Sequence, residues 1–302
     1  MQCTNPINLG RTRRSGPFIH EERGLIVPCG KCFACRIKKR REWSLRLYHE
    51  LEMWNDAQFT TLTYADDSIP GGEGLPSLRK RDLQLFFKRL RRHLPEERNV
   101  RYFACGEYGD TTGRPHYHAI IYGLGLLPAD REIVVKAWPF CDWSVDSIRD
   151  KSFGMVTPES IEYVAGYIHK KFSGIKEFEE YQALGREPVF RIMSQGIGRD
   201  YIDKNIDDVK KQMHFTMRGK HISIPRYYIK RHLLDTMSLN EHAQLKEAEL
   251  VEDYTGVYTS VDSLYEDFNF DLMRSYEENL FIHNKQRDSN LNARSKLKRS
   301  KL

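Results

Sequence analysis

Two histidines separated by one residue are the chemically most suggestive feature of this chain. His116 and His118 lie in a segment rich in aromatic and β-branched residues, which is typical of a β-strand. Side chains two residues apart in a strand share a face, so both imidazoles project together while Tyr117 points to the other face. Two neutral imidazoles can bind one divalent ion. The pair therefore predicts a metal site on one face of a sheet.

A third ligand is needed, because two histidines alone hold a metal weakly. Glu107 is the best candidate, since it ends a predicted strand over residues 100–107 that a Gly-, Asp- and Thr-rich turn joins to the strand over 116–122. Antiparallel pairing can place this carboxylate beside His116. A carboxylate with two imidazoles suits Mg²⁺, Mn²⁺ or Zn²⁺. Such an ion can polarise a phosphodiester oxygen and neutralise charge in the transition state.

Two tyrosines and a lysine follow at helical spacing. Tyr163 and Tyr167 are four residues apart and Lys170 is three residues further on, so all three share one face of a helix. Thr157 suits an N-cap, and the sequence predicts a helix over residues 158–172. A phenol has a pKa of about 10, so the lysine or a metal-bound group must favour the phenolate before it can attack phosphorus.

The N-terminal cysteines form a second candidate site. Cys29, Cys32 and Cys35 supply three closely spaced thiolates, and Cys3 is the natural fourth ligand of a tetrahedral structural zinc. The stretch after Cys35 lacks the cysteine and proline of a ferredoxin-type run, so Zn²⁺ is favoured over an iron–sulfur cluster. The alternatives for the fourth ligand are His20 and His49. The remaining two cysteines, Cys105 and Cys141, are expected to be ordinary buried residues.

Composition and charge bound the class of protein. The 302 residues are 40% hydrophobic and 30% charged, which is typical of a globular chain. We expect no membrane span and no secretory signal, hence a location in the cytoplasm. Residues 1–120 hold 21 Lys and Arg against 14 Asp and Glu, whereas 121–302 hold 27 against 28. The basic clusters at residues 36–46 and 79–92 suit phosphate binding or, equally, solvated helix faces.

The pattern of elements predicts an α+β fold with four segments. Helices are expected over residues 36–54, 78–94 and 128–137, strands over 59–64 and near 143–145, and a second hairpin over 215–224. The predicted segments are a cysteine-rich zinc-binding segment with a basic helix (1–57), an endonuclease domain (58–235), an acidic helical region (236–284) and a basic, disordered tail (285–302).

Several motifs together carry a family resemblance. The Phe59–Tyr64 strand, the His-hydrophobe-His strand and the two-tyrosine helix resemble the three ordered motifs of the HUH endonucleases that start rolling-circle replication. More narrowly, the chain resembles the replication initiators of gokushovirus-like microviruses over roughly residues 1–232. This resemblance rests on residues 28–32, 106–109, 114–118, 196–198 and 225–228.

The resemblance implies a fold and a mechanism. It implies a ferredoxin-like or RRM-like antiparallel sheet that bears the histidines, flanked by helices. It also implies that His116 and His118 bind Mn²⁺ or Mg²⁺ and that Tyr163 and Tyr167 attack a metal-bound phosphate in turn. The products would be a 5′-phosphotyrosine and a free 3′-hydroxyl, followed by rejoining of the displaced strand. Related initiators often carry a lysine just before the second tyrosine, where this chain has Gly166.

The expected partners are nucleic acid and replication proteins. The resemblance implies single-stranded and origin DNA, with a host helicase and DNA polymerase, in the host bacterial cytoplasm and away from membranes. The residues expected to contact DNA are Arg114, Lys171, Arg218 and Lys220.

Other classes of function remain open at this point. Within the superfamily the alternatives are a relaxase or a transposase. Outside it, a non-catalytic zinc-containing DNA-binding protein would use the two histidines as core residues. A small-phosphoester hydrolase would use one of them as a general base, but no Gly-rich phosphate loop accompanies them.

Overall fold

The structure is a computed structural model of the chain. It describes residues 3–8, 26–71, 75–166, 179, 181–212, 214–217, 219–232, 248, 251–255 and 270–299. The strands are β1 (Ile7–Asn8), β2 (Ile26–Val27), β3 (Ala57–Leu62), β4 (Arg101–Tyr108), β5 (Pro115–Tyr122), β6 (Phe153–Met155), β7 (Phe190–Met193), β8 (Phe215–Met217) and β9 (Lys220–Ile222). The helices are α1 (Phe33–Leu51), α2 (Lys80–His93), α3 (Pro128–Ala137), α4 (Asp146–Lys151), α5 (Pro158–Gly166), α6 (Arg199–Gln212), α7 (Arg226–His232) and α8 (Phe270–Arg299).

Contact density divides the chain into two compact units. One comprises residues 1–39, 210–215 and 223–302, and the other comprises residues 40–209 and 216–222. The second unit is built on a five-stranded sheet in the order β6-β3-β5-β4-β7, and every neighbouring pair is antiparallel. The predicted α+β class is therefore confirmed as an antiparallel sheet with flanking helices.

One face of this sheet is covered by helices α2 and α3. The apolar residues of α2, such as Phe86 and Leu90, pack with Val134 of α3 against the sheet residues Ala119 and Ile121. These side chains are buried almost completely. Burial of a large apolar side chain contributes roughly 1.5–3 kcal/mol, so this layer supplies much of the stability of the unit.

The opposite face is covered by helices α1 and α5. Leu47 of α1 packs with Ile161 and Val164 of α5 against Phe103 and Ile120 of the two central strands. This face matters for function because β5 alternates along its length. His116 and His118 project from the same side of β5 as Ile120, whereas Tyr117 enters the core under α2. The predicted split between the histidines and Tyr117 is confirmed.

A buried polar network anchors Tyr117 on the α2 face. Its hydroxyl lies 2.8 Å from that of Tyr64, which donates a hydrogen bond to Asp82 at 3.0 Å. The backbone N–H of Arg79 donates to the Tyr117 oxygen at 2.9 Å. Burial raises the pKa of Tyr117 to about 12, so this phenol stays neutral. A strand pinned on one face holds the histidines of the other face in register.

Most of the predicted elements agree with the structure to within a few residues. The predicted short strand near residues 143–145 is wrong, because the edge strand is β6 at Phe153–Met155. There the Trp143 side chain instead donates a hydrogen bond to the Trp138 carbonyl at 2.8 Å, and Val145 precedes α4. Aromatic and β-branched residues thus serve a helix-to-helix connection at this point.

The C-terminal segments lie in the first unit. Residues 285–299, expected to be a disordered tail, continue helix α8 through Arg299. This stretch contains neither proline nor glycine, so nothing in its sequence interrupts a helix. Most of the predicted acidic region, 236–284, falls outside the described residues up to position 270. Among the helices that the structure describes, none combines the length and apolarity needed to cross a bilayer.

Candidate metal and nucleophile site

Three predicted ligands meet at the end of the β4–β5 hairpin. The register pairs Glu107 with His116, as expected from the turn between the two strands. Oε1 of Glu107 lies 2.9 Å from Nε2 of His116 and 3.1 Å from Nε2 of His118. Glu107 and His118 are buried and His116 is partly buried. Three potential ligand atoms therefore converge on one point at the surface of the sheet.

The second nitrogen of each imidazole has its own partner. Nδ1 of His116 lies 3.1 Å from the carbonyl oxygen of Arg114, and Nδ1 of His118 lies 3.1 Å from Oγ1 of Thr61. A carbonyl can only accept, so Nδ1 of His116 carries the proton in this contact and the Nε2 lone pair is left for a ligand. Such partners orient a metal-binding imidazole and fix its tautomer.

The donor set fits a divalent ion. Neighbouring ligands of an octahedral ion with bonds of 2.0–2.1 Å stand about 3 Å apart, close to the two distances measured from Glu107 Oε1. One carboxylate and two imidazoles suit Mn²⁺ and Zn²⁺ well, and they also admit Mg²⁺. Three protein ligands leave coordination positions for a substrate oxygen.

Helix α5 brings a nucleophile to the same point. The Tyr163 phenol lies 3.3 Å from Oε1 of Glu107 and 3.5 Å from Nε2 of His118. Its ring is edge-on to the His118 ring at 5.1 Å. The side chain is 48% exposed, so the oxygen is accessible from solvent while it touches the ligand cluster.

The start of α5 follows the predicted capping pattern. Oγ1 of Thr157 accepts a hydrogen bond from the N–H of Ser160 at 3.2 Å, and the Ser160 hydroxyl accepts one from the N–H of Thr157 at 2.8 Å. This reciprocal pair satisfies two backbone donors at the helix start. Ile161, Val164 and Ala165 are buried on the sheet, which leaves Tyr163 on the side facing the histidines.

Part of the predicted tyrosine helix lies outside the described residues. Tyr167, Lys170 and Lys171 belong to this part. At Gly166, a Cβ atom would lie 3.8 Å from the guanidinium carbon of Arg40, which itself contacts Glu162 at 3.4 Å. The side of the helix where related initiators carry a lysine is therefore next to an arginine from α1.

The four residues expected to contact DNA differ in what the structure says of them. Arg114 ion-pairs with Asp66 and donates to the carbonyl of Tyr64, so its side chain braces the hairpin while its carbonyl orients His116. The backbone of Lys220 begins β9, the second strand of the predicted second hairpin. Arg218 and Lys171 lie outside the described residues, as does the Lys220 side chain.

Sequence reasoning missed Thr61 as a site residue. The residue was noted only as part of a strand, yet alternation in β3 places it on the site face, opposite His118. Phe59 is on the same face and stacks on the His118 ring at 5.6 Å. The available signal was the two-residue period of the strand, which separates Phe59 and Thr61 from the buried Gln58 and Thr60.

The N-terminal cysteines converge within the first unit. The four Sγ atoms of Cys3, Cys29, Cys32 and Cys35 lie within 4.8 Å of one another, and Cys3 is 3.5 Å from Cys29 and 3.7 Å from Cys32. In a tetrahedral zinc site with bonds of about 2.3 Å, neighbouring sulfurs stand about 3.8 Å apart. All four thiols are free of disulfides. His49 instead stacks on Tyr201 at 3.8 Å, and His20 lies outside the described residues.

Backbone amides point at the sulfurs of this cluster. The N–H of Cys32 donates to Cys29 Sγ at 3.2 Å and that of Cys35 to Cys32 Sγ at 3.4 Å. Burial opposes ionisation, but hydrogen bonds from Thr4 and from the Cys35 backbone lower the pKa of Cys32 to about 6. Burial and the neighbouring thiols raise the pKa of Cys35. The cluster thus favours one thiolate on its own, and four thiolates require a cation.

Known proteins match this chain over the site just described. A family model for the ORF2 type of replication-associated protein matches residues 57–172, which include the metal ligands and Tyr163. The replication-associated protein VP4 of Bdellovibrio phage phiMH2K is 30% identical over 277 residues, 83% of this chain and 85% of that protein. The chain belongs to the phage replication-associated proteins.

Further replication-associated proteins extend this family. ORF2 of Spiroplasma virus 4 is 31% identical over 223 residues, 68% of this chain and 67% of that protein. ORF4 of Chlamydia phage 1 is 27% identical over 221 residues, 67% of this chain and 52% of that protein. The expected kinship with microvirus replication proteins is confirmed. No solved structure matches this replication-associated protein.

Proposed function

We propose that the protein initiates rolling-circle replication of a phage genome by nicking single-stranded DNA at the origin with a tyrosine nucleophile. The observation that carries the proposal is the contact of the Tyr163 phenol with Glu107 and His118, at 3.3 Å and 3.5 Å. A nucleophile beside three metal-ligand atoms is the arrangement that phosphodiester transfer requires. A non-catalytic DNA-binding protein has no need of a half-exposed phenol in that position.

Three side chains would hold the catalytic divalent ion, either Mn²⁺ or Mg²⁺. They are Glu107, His116 and His118, whose donor atoms already lie within 4.8 Å of one another. When bound, the ion supplies positive charge that polarises the phosphodiester and offsets the charge of the pentavalent transition state. Thr61 and the Arg114 carbonyl hold the two imidazoles with Nε2 toward this point.

The nicking step is a transesterification. The Tyr163 oxygen forms a bond to phosphorus and loses its proton, for which Oε1 of Glu107 is the acceptor that the phenol contacts. The bond from phosphorus to the 3′-oxygen breaks, and that oxygen leaves with a proton as a free 3′-hydroxyl. The DNA is then joined through its 5′-phosphate to the tyrosine. The bond energy is kept in the phosphotyrosine, so a later attack by another hydroxyl rejoins the strand.

Rejoining of the displaced strand is assigned to the second tyrosine. By resemblance, Tyr163 and Tyr167 alternate as nucleophiles, and Lys170 balances charge on the phosphate. Their spacing of four residues would bring both phenols to one helix face. In this proposal the HUH arrangement consists of the histidine strand β5 with the tyrosine helix α5 beside it. The expected partners are origin DNA, a host helicase and a host DNA polymerase, in the host cytoplasm.

A structural zinc bound by the four cysteines completes the proposal. The support is the 3.5 Å and 3.7 Å separations of Cys3 from Cys29 and Cys32, together with amide donors to the sulfurs. The cysteine segment carries little apolar periodicity, so metal binding is the physical source of its order. The zinc would therefore support folding and take no part in the chemistry.

The proposal is tested by trapping the covalent intermediate. The purified protein is incubated with a library of single-stranded oligonucleotides and Mn²⁺, and DNA-linked protein is resolved on a denaturing gel. Wild-type protein should form an adduct, and His116→Ala and His118→Ala should form none while melting cooperatively. Glu107→Ala should need more Mn²⁺ for the same yield. Adduct formation by all three variants at the wild-type rate under limiting Mn²⁺ would show that the site is misassigned.

A further inference from the structure

A row of paired residues crosses the sheet on the face of the metal site. Directly paired residues of antiparallel strands point to the same face. Four such residues follow one another from β3 through β5 and β4 to β7, namely Thr61, His118, Cys105 and Arg191. Arg191 is two strand spacings from His118, roughly 10 Å at the backbone. An arginine thus stands on the site face within one side-chain length of the ligand cluster.

The Arg191 guanidinium lies on an indole that carries a second cation. Its central carbon is 5.4 Å from the centroid of the Trp43 ring, and that of Arg46 is 4.3 Å from the same centroid. Arg46 is held in place by two hydrogen bonds to the Ile197 carbonyl, at 2.9 and 3.0 Å. Stacking on an aromatic ring leaves the in-plane N–H groups of a guanidinium free to point outward.

Arg191 differs from other partly buried arginines of its unit in lacking a carboxylate. Arg98 pairs with Asp130 at 2.6 Å, and Arg101 pairs with Glu50 at 3.0 Å. Among the residues that the structure describes, no carboxylate oxygen lies within 4 Å of the Arg191 side chain. The nearest acidic residue in the row pattern, Glu107, is engaged by both histidines.

A cation in these surroundings favours an anionic partner. Burial lowers the pKa of Arg191, which means that its charge has lost hydration without gaining a carboxylate. The neighbouring cation on Trp43 adds repulsion. Because guanidinium forms bidentate hydrogen bonds to phosphate, an incoming phosphodiester would restore the lost hydration.

We propose that Arg191 binds a backbone phosphate of single-stranded DNA next to the phosphate that is cleaved. Its place in the row would guide the strand across β4 toward His118 and Tyr163, and Trp43 would keep the guanidinium flat against the sheet. This inference rests on the proposed nicking function for the identity of the ligand. It adds a positioning residue on a strand that carries none of the ligands or nucleophiles.

The test measures DNA binding without chemistry. Fluorescence anisotropy of a labelled oligo(dT) of about twenty nucleotides is recorded between roughly 50 and 200 mM salt with no divalent ion added. Removing one phosphate contact from a single strand should lower the slope of log affinity against log salt by about 0.7. Arg191→Met should show this reduction and about tenfold weaker binding at the lowest salt. Arg191→Lys should keep the wild-type slope, because the charge remains.

Arg149→Met is the matched control. Arg149 lies on α4, pairs with Glu132 at 3.2 Å and loses the same charge on substitution. It should bind DNA within twofold of wild type with an unchanged slope. A wild-type slope and affinity in Arg191→Met, or an equal loss in Arg149→Met, would overturn the phosphate site. A slope lost equally in Arg191→Lys would show that Arg191 only supports the packing of Trp43.

The two proposals fail in different ways. If wild-type protein forms no covalent adduct but Arg191→Met shows the reduced slope, the phosphate site stands and the nicking function falls. If wild-type protein nicks DNA and Arg191→Met binds and nicks as wild type does, the function stands and the phosphate site falls. Thermal melting of each variant confirms that the folded proteins are being compared.

Discussion

The phenolic oxygen of Tyr163 lies 3.3 Å from Oε1 of Glu107, a carboxylate near the end of strand β4. This contact joins helix α5 to the β4–β5 hairpin at the point where His116 and His118 also meet. A shift of either element by one residue would remove it, because strand side chains alternate between faces and helix side chains turn away from the sheet. The candidate active site therefore depends on packing between α5 and the sheet.

The Thr61 hydroxyl should matter for metal binding and little for folding. Thr61→Val keeps the side-chain shape but removes the partner of His118 Nδ1 at 3.1 Å. Loss of such a partner typically weakens metal affinity about 10- to 100-fold. Calorimetric titration with Mn²⁺ measures the change. Thr60→Val is the control, because the Thr60 hydroxyl is buried on the other face with no hydrogen-bond partner. Equal Mn²⁺ affinity in both variants would rule out the role of Thr61.

Gly106 should be required for the packing of β5. A Cβ at this position would lie 2.9 Å from Leu78 and 3.0 Å from the Tyr117 ring. Gly106→Ala should lower the free energy of unfolding by about 1–3 kcal/mol, as overpacking typically does. Gly154→Ala on β6 is the control, since nothing lies within 4 Å of its added methyl group. Urea unfolding compares the two variants, and equal stability would show that the hairpin yields to the methyl group.

His49 should make the fold sensitive to mild acid. Burial lowers its pKa to about 3, from a usual value of 6.5. The unfolded chain therefore takes up a proton below pH 6.5 that the folded chain does not, and stability is lost as the pH falls from there toward 3. By about pH 5 this group alone removes about 2 kcal/mol.

The His49 contribution is measured as a difference between two proteins. His49→Gln should lose less stability than wild type between about pH 7 and pH 5, by about 2 kcal/mol in urea unfolding. The remaining titratable groups are common to both proteins, so their contributions cancel. Parallel pH profiles would mean that the imidazole is hydrated in the folded state.

Zinc should be present at one equivalent in protein purified without chelators. Substitution with Co²⁺ should give the intense visible absorption of tetrahedral thiolate ligation. Cys32→Ser should lose the metal and loosen the N-terminal segment, because folding and metal binding are coupled there. Cys141→Ser is the control, since Cys141 is buried away from the cluster and should retain zinc. Zinc-free wild-type protein would contradict the assignment of all four cysteines.

Local sequence patterns predicted much of the candidate site. The two-residue period placed His116 and His118 on one face, and the short turn between β4 and β5 was enough to pair Glu107 with His116. The capping residues before α5 marked its start correctly. These features depend on neighbours within about fifteen residues of one another, where turn geometry and periodicity determine the pairing.

Contacts between distant segments could not be predicted in the same way. Thr61 reaches His118 only because β3 pairs with β5, and Arg191 joins the row only because β7 adds to the far edge of β4. No local pattern specifies which strand lies beside which. The extent of α8 was also missed, because polar composition resembles that of a disordered tail although the stretch has no helix-breaking residue.

The most direct test of the central claim is the identity of the DNA-linked residue. Tyr167→Phe protein is incubated with single-stranded DNA and Mn²⁺, digested with trypsin and nuclease, and analysed by mass spectrometry. The tryptic peptide of residues 152–170 then contains Tyr163 as its sole tyrosine. The account predicts that this peptide carries a nucleotide on Tyr163 and that the Tyr163→Phe/Tyr167→Phe double variant forms no adduct. An adduct on any residue outside this peptide, or one that persists in the double variant, would contradict it.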